Sequence, residues 1–159
     1  MLTGENLRAL MRNWATGVTL VTASDSSGPH GMTVSSFTSV SLEPPRVLVS
    51  LERTARTHRM VENSRAFGVS ILSEAQRDLA ERFAGRIGDG EDRFADVDYE
   101  LSENGVPVVH GSLAFLDCRV VESHPAGTHT LYIGQVVAGR QLLDSRPLVY
   151  YHRDYRRLT

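Results

Sequence analysis

The sequence predicts a mostly β domain, built as an antiparallel barrel with a few short helices. Three observations carry that expectation. Short β-branched apolar runs recur along the chain, with Gly, Pro, Ser and Asp clusters between them. Stretches with helical spacing of apolar residues are few and brief. No G-x-G-x-x-G follows a strand and opens a helix, which argues against a βαβ sheet with a dinucleotide crevice.

In chain order, "ENLRALMRNW" (5–14) sets Leu7, Leu10, Met11 and Trp14 at helical spacing and predicts a short amphipathic helix. "GVTLVTA" (17–23) reads as a strand and "SDSSGPHG" (24–31) as a turn. "RVLVSLE" (46–52) is a strand entered through Pro44 and Pro45, "TARTHRMVENS" (54–64) a helix, and "AFGVSIL" (66–72) a strand. "SEAQRDLAERFAG" (73–85) carries the clearest local signal. Ser73 and Gln76 form a capping box, Leu79, Ala80 and Phe83 an apolar stripe, and Gly85 a helix stop. The polar run 86–96 predicts a surface loop, and strands are expected near 112–123, 129–139 and 147–152.

At 159 residues, 41% hydrophobic and 23% charged, the chain fits a single domain spanning 1–159. A net charge of -2 argues against nucleic acid as a main partner. No apolar run approaches the roughly 18 residues of a membrane span. The N-terminus lacks the basic-then-apolar layout of a signal peptide, so a cytoplasmic location is expected. Cys118 is the single cysteine, which excludes a disulfide framework and a Cys-based zinc site. Its apolar strand context predicts a small buried side chain. No H-E-x-x-H spacing suggests a metal, and no G-x-S-x-G elbow surrounds Ser35 or Ser36. His58, His110, His124 and His152 read as surface or core histidines. All 17 basic residues are Arg, whose planar fork suits anion binding, although GC-rich coding gives the same composition.

Two neighbouring segments hold the candidate chemistry. "GMTVSSFTSVSLEPP" (31–45) carries six hydroxyl residues in fifteen. Small hydroxyl side chains let a planar ligand approach a strand closely, though an exposed barrel strand would look the same. "LERTART" (51–57) places Thr54 before a helix start, with Arg53 and Arg56 beside it and Thr57 in the first turn. Free N–H groups and the positive dipole end there favour a phosphate, although an ordinary helix cap would need no ligand.

In this order, "NWATGVTLVTA", "GMTVSSFTSVSLEPPRVLVSLERTART", "FGVSILSEAQRDLAERFAG" and "GTHTLYIGQVV" resemble the flavin reductase-like family, the small reductase components of two-component flavin-dependent monooxygenases. The resemblance runs from about Trp14 to Leu158. It implies an FMN-binding split β-barrel, antiparallel and Greek-key-like, that forms a homodimer. It also implies FMN or FAD, reduced with NADH or NADPH, and a partner monooxygenase that receives the reduced flavin. Carried over by position, Thr33, Val34, Ser35 and Ser36 meet the isoalloxazine edge or its nearby chain. Ser50 and Leu51 approach the ring through their backbone. Arg53, Thr54 and Thr57 take the ribityl-phosphate end. Phe83, Ala84 and Gly85, with Arg86, close the phosphate or adenosine side, and His129 helps place the nicotinamide. Relatives often read Gly-Asp-His where this chain has Gly127-Thr128-His129, so the imidazole's neighbour can hydrogen-bond but brings no charge.

The implied reaction is hydride transfer between the two cofactors, with the protein supplying geometry and electrostatics. That accounts for the lack of a triad or metal motif. A non-catalytic flavin- or haem-binding protein, and an enzyme like pyridoxamine phosphate oxidase, remain alternative readings of the same barrel.

Overall fold

The computed structural model describes residues 1–86 and 91–159, with only the backbone of Arg86. In chain order the elements are α1 (Gly4–Met11), β1 (Thr16–Gly17), β2 (Thr19–Asp25), β3 (Gly28–Val34), β4 (Phe37–Leu42), β5 (Pro45–Glu52), α2 (Arg56–Ser64), β6 (Ala66–Ile71), α3 (Arg77–Glu81), β7 (Tyr99–Leu101), β8 (Pro107–Val109), β9 (Ala114–Ala126), β10 (His129–Gln141), β11 (Val149–Tyr151) and β12 (Asp154–Arg156). The expected mostly β, antiparallel class is what the chain adopts. Seven strands form one sheet in the order β3-β2-β6-β9-β10-β5-β4, flanked by a three-stranded β1-β11-β12 sheet and a β7-β8 pair.

The strand order itself forces curvature. β3 and β4 are the two edges of the seven-stranded sheet, yet only Ser35 and Ser36 separate them in the chain. Three peptide steps span at most about 11 Å, so the sheet curls until its edges meet at this pair of serines. Hydrogen bonds do not zip β3 to β4. The hydroxyl segment therefore lies along the seam of an unclosed barrel.

Side chains inside the curl alternate as the pleat requires. Val47, Val49 and Leu51 of β5 point inward with Val21, Phe67, Val69, Cys118 and Tyr132. Met60 and Val61 of α2 close this core, each burial stabilising by about 1.5–3 kcal/mol. A second cluster on the outer face joins Val18, Leu20 and Leu72 to Ala80, Phe83, Phe94 and Leu148. β2 serves both clusters and is buried on both faces. Cys118 is buried as expected, and burial pushes its thiol up to about 12.

Four sequence expectations need correction. The turn expected over 24–31 is only Ser26 and Ser27, because the Ser27 N–H and hydroxyl both bond the Asp25 carboxylate and let β3 begin at Gly28. Those bonds from Ser27 also hold Asp25 below the usual carboxylate range. The helix expected from Thr54 starts at Arg56, with Ala55 as its uncapped N-cap. The helix expected over 73–85 is a 3-10 turn at Glu74–Gln76, α3, and a π turn at Arg82–Arg86. Its capping box is present, the Ser73 N–H donating to Gln76 Oε1 at 3.0 Å, and Gly85 breaks the helix at φ 83°.

The polar loop expected over 86–96 is the fourth. Residues 87–90 lie outside the described residues, but Arg93 and Phe94 are buried. Phe94 meets Phe83 edge-on at 5.0 Å and Tyr99 at the same distance, an arrangement aromatic quadrupoles favour. Among the described residues, no helix is long and apolar enough to cross a membrane.

Candidate active site

A cavity of about 240 Å³ opens where the start of α2 faces the end of the π turn. His30, Met32 and Thr33 of β3 form one wall, and Thr54, Arg56 and Thr57 another. Phe83, Ala84, Gly85 and Arg93 form the far side, and Glu52 at the end of β5 adds one carboxylate to the lining beside the two arginines. The local sequence explains the shape. Ala55 gives α2 no side-chain cap, so the first-turn amides keep their donors, and no acidic side chain sits in that turn. Ala84 and Gly85 let the opposite backbone approach without bulk. Arg56 reaches Ser27 Oγ at 2.9 Å, which fixes its guanidinium at the rim. The result is a concave site with two arginines against one glutamate and free helix amides, an excess of donors that suits a phosphate.

Arg93 is the residue that sequence reasoning missed. Its buried guanidinium donates to the carbonyls of Gly31 at 3.0 Å and Phe83 at 3.3 Å, joining β3 to the π turn across the cavity. The available signal was Phe94, an aromatic inside a polar run that pulls its neighbour inward.

Thr33 links this cavity to a second one of about 190 Å³, lined also by Val18, Ser35, Ala84, Tyr150 and Tyr155. The Thr33 hydroxyl donates to the Ala80 carbonyl at 2.6 Å and so fixes β3 against α3. The two cavities form one groove that runs along β3 to the barrel seam. An elongated ligand with an anionic end fits this layout.

The other expected site residues are placed as follows. Val34 and Leu51 turn their side chains into the barrel core, and Phe83 is buried in the outer cluster, its carbonyl held by Arg93. Ser36 is exposed at the seam, its hydroxyl donating to the Ser50 carbonyl at 2.9 Å while the Ser50 N–H returns to the Ser36 carbonyl at 3.1 Å. Ser50 thus ties the seam together. Arg53 is exposed and its N–H donates to the Thr128 carbonyl at 3.0 Å. The side chain of Arg86 lies outside the described residues.

Thr57 is wholly buried, its hydroxyl 2.9 Å from His30 Nδ1. His129 pairs across the ladder with Glu52, beside the cavity, and its Nδ1 lies 2.9 Å from Thr128 Oγ1. Thr128 therefore holds the ring by a neutral hydrogen bond.

A polar cluster connects these parts. His58, in the first turn of α2, has Nε2 2.8 Å from Thr130 Oγ1 and 3.1 Å from the Tyr132 hydroxyl. Tyr132 donates to Glu62 at 2.5 Å. The helix start is thereby fixed to the strand that begins with His129. Burial lowers the His58 pKa from its ordinary 6.5. The unfolded chain then takes up that proton first, so the cluster's support is full above about pH 6.5 and declines in acid. Among the described residues no cluster could hold a metal ion.

Residues 11–159 match the family model of the flavin reductase like domain. The chain belongs to the flavin reductase-like family. Among its relatives, an NADH-dependent flavin reductase of a Rhodococcus species is 41% identical over 158 residues, covering 96% of this chain and 85% of that protein. The reductase subunit HsaB of a flavin-dependent monooxygenase from Mycobacterium tuberculosis H37Rv is 35% identical over 150 residues, covering 93% and 79%. A probable flavin reductase of Rhizobium meliloti is 42% identical over 133 residues; that match takes in 83% of this chain and only 42% of the longer relative. Among solved structures, the NADH:FAD oxidoreductase of Streptomyces globisporus superposes with a TM-score of 0.92 at 33% identity, covering 100% of this chain and 97% of that one. In this flavin reductase-like chain, Thr33 and Ala84 line both the cavity at the α2 start and the smaller one beside Tyr150.

Proposed function

We propose that this chain is an NADH-dependent flavin reductase that supplies reduced flavin to a separate monooxygenase, as one domain over residues 1–159. It acts as a cytoplasmic homodimer on FMN or FAD. The observation that carries the reading is the cationic cavity at the α2 start, continuous with the hydroxyl-lined groove along β3.

The cofactors supply the chemistry, hydride passing from the nicotinamide to the flavin. The chain's residues bind and orient. The α2 amides, Thr54, Thr57, Arg53, Arg56 and Arg93 hold the phosphate end. Thr33, Val34, Ser35 and Ser36, with the backbone of Ser50 and Leu51, form the ring wall. Phe83, Ala84, Gly85 and Arg86 close the far side. His129, held by Thr128, positions the nicotinamide. The dimer reading is supported by α1, whose Leu7, Leu10 and Met11 and nearby Trp14 are exposed in the single chain. An apolar helix face of this kind is normally covered by another surface.

The deciding assay measures NADH consumption by the purified protein with FMN, FAD and riboflavin added in turn. Consumption that requires flavin is expected, and its absence with all three would overturn the proposal. His129→Ala should raise KM for NADH by about tenfold, the loss of one hydrogen-bonding contact, while FMN affinity stays within about twofold. Unchanged kinetics would remove that role. Thr57→Val removes a buried hydroxyl from the cradle and should weaken FMN binding by about tenfold. Riboflavin, without a phosphate, should bind the variant as before; fluorescence quenching reads both.

A further inference from the structure

Glu52 stands against the charge of the cavity it lines. Its carboxylate pairs with neither Arg53, its neighbour in the chain, nor Arg56, whose guanidinium bonds Ser27 instead. Among the described residues the carboxylate makes no ion pair at all. A bare carboxylate beside an anion site repels the anion, a cost that a second role would offset.

The backbone fixes where this charge stands. Glu52 is the last residue of β5 and the ladder partner of His129, the first residue of β10. Directly opposed residues project from the same face of a sheet, with Cβ atoms about 4.5–5.5 Å apart. The Glu52 carbonyl accepts the Ala55 N–H at 3.1 Å, which ties it to the N-cap of α2. The next residue, Arg53, donates its N–H to the Thr128 carbonyl at 3.0 Å and holds the turn before His129 to the end of β5. Beside His129 in the chain and in its two ladders stand Thr128, Thr130, Ala126 and Glu52. Only Glu52 is charged.

Charge is what flavin reduction changes at this corner. Hydride transfer breaks the C4–H bond of the nicotinamide and forms an N5–H bond on the flavin. It takes two electrons from the nicotinamide ring, leaving a cation, and gives them to the flavin, which carries the matching negative charge. We propose that Glu52 is the counter-charge for that cation, its carboxylate facing the ring that His129 places. A carboxylate there favours the oxidised ring over the reduced one, and favours the transition state over the bound substrate as positive charge develops. The inference rests on the flavin reductase reading, which puts the nicotinamide at His129.

The test is Glu52→Gln, which removes the charge while keeping the stem and the backbone bonds. Two equilibrium effects of opposite sign are expected. FMN should bind the variant about threefold more tightly by fluorescence quenching, with riboflavin unchanged. NAD⁺ should bind the FMN-loaded variant about fivefold more weakly by calorimetry. Tetrahydro-NADH, whose ring is neutral and gives up no hydride, should bind both forms alike. These factors are what a unit charge exerts across a partly solvated site. NAD⁺ that fails to bind the wild-type protein, or binds the variant equally well, overturns the counter-charge. Equal losses for NAD⁺ and tetrahydro-NADH overturn it too, since they make Glu52 a contact of shape. The titrations need no turnover. A chain that binds NAD⁺ through Glu52 yet consumes no NADH supports the counter-charge and removes only the reductase reading. A chain that reduces flavin while Glu52→Gln leaves NAD⁺ affinity unchanged keeps that reading and loses this inference.

Discussion

Arg93→Met is expected to weaken FMN binding by about tenfold to a hundredfold, the value of a hydrogen bond to a charged group in a partly buried site. Methionine keeps much of the length and apolar stem but removes the fork. Two losses follow from the geometry. The cavity that the start of α2 lines loses a cation. The Gly31 and Phe83 carbonyls lose the donor that joins β3 to the π turn. An unsatisfied buried carbonyl costs about 1–3 kcal/mol, which for a chain of this size lowers Tm by several degrees.

These losses can be separated. Riboflavin lacks the phosphate, so its affinity reports the groove without the cradle. FMN affinity should fall much further than riboflavin affinity in Arg93→Met, both read by fluorescence quenching. Arg93→Lys restores the charge without the bidentate fork and should recover part of the FMN affinity but little of the stability. Equal losses for FMN and riboflavin would mean that Arg93 acts only by holding the walls in place.

Periodicity and turn chemistry made the architecture legible because each core strand needed only a local pattern. β5 reads as a strand from the alternation of Val47, Val49 and Leu51, and the structure turns those three inward. The start of α2 was legible for the same reason, since a helix start is a local feature that Thr54 to Thr57 announce, displaced by two residues because Ala55 is the N-cap. The rest depended on contacts distant in sequence. Arg93 sits 62 residues from the carbonyl it bonds in Gly31. Its segment is polar enough to read as surface, and only the fold shows that Phe94 draws it into the outer core. The barrel seam was likewise hidden. Ser35 and Ser36 mark it only once β3 and β4 are known to be opposite edges of one sheet.

Gly134→Ala should be strongly destabilising although it lies outside the site. Gly134 lies in the middle of β10, between Val47 of β5 and Val120 of β9, at a register shift in the β9 ladder. A Cβ there would stand 2.6 Å from Phe67 Cζ and 3.0 Å from Cys118 Cβ. Both neighbours are wholly buried, so neither can swing into solvent. Overpacking of a filled core costs about 1–3 kcal/mol, occasionally more, and the rigid ring places this site near the top of that range. Urea denaturation should show a lower midpoint with an unchanged slope, the signature of lost stability without a change in the unfolded state. Gly17→Ala meets nothing within 4 Å and should stay within about 0.5 kcal/mol of the parent. The cause can be assigned by a double-mutant cycle with Phe67→Leu, which removes the atoms nearest the new methyl. If the ring is the obstacle, the pair should be more stable than the sum of the two single losses predicts, by at least about 0.5 kcal/mol. Strict additivity would place the damage in the β9–β10 ladder instead of the ring.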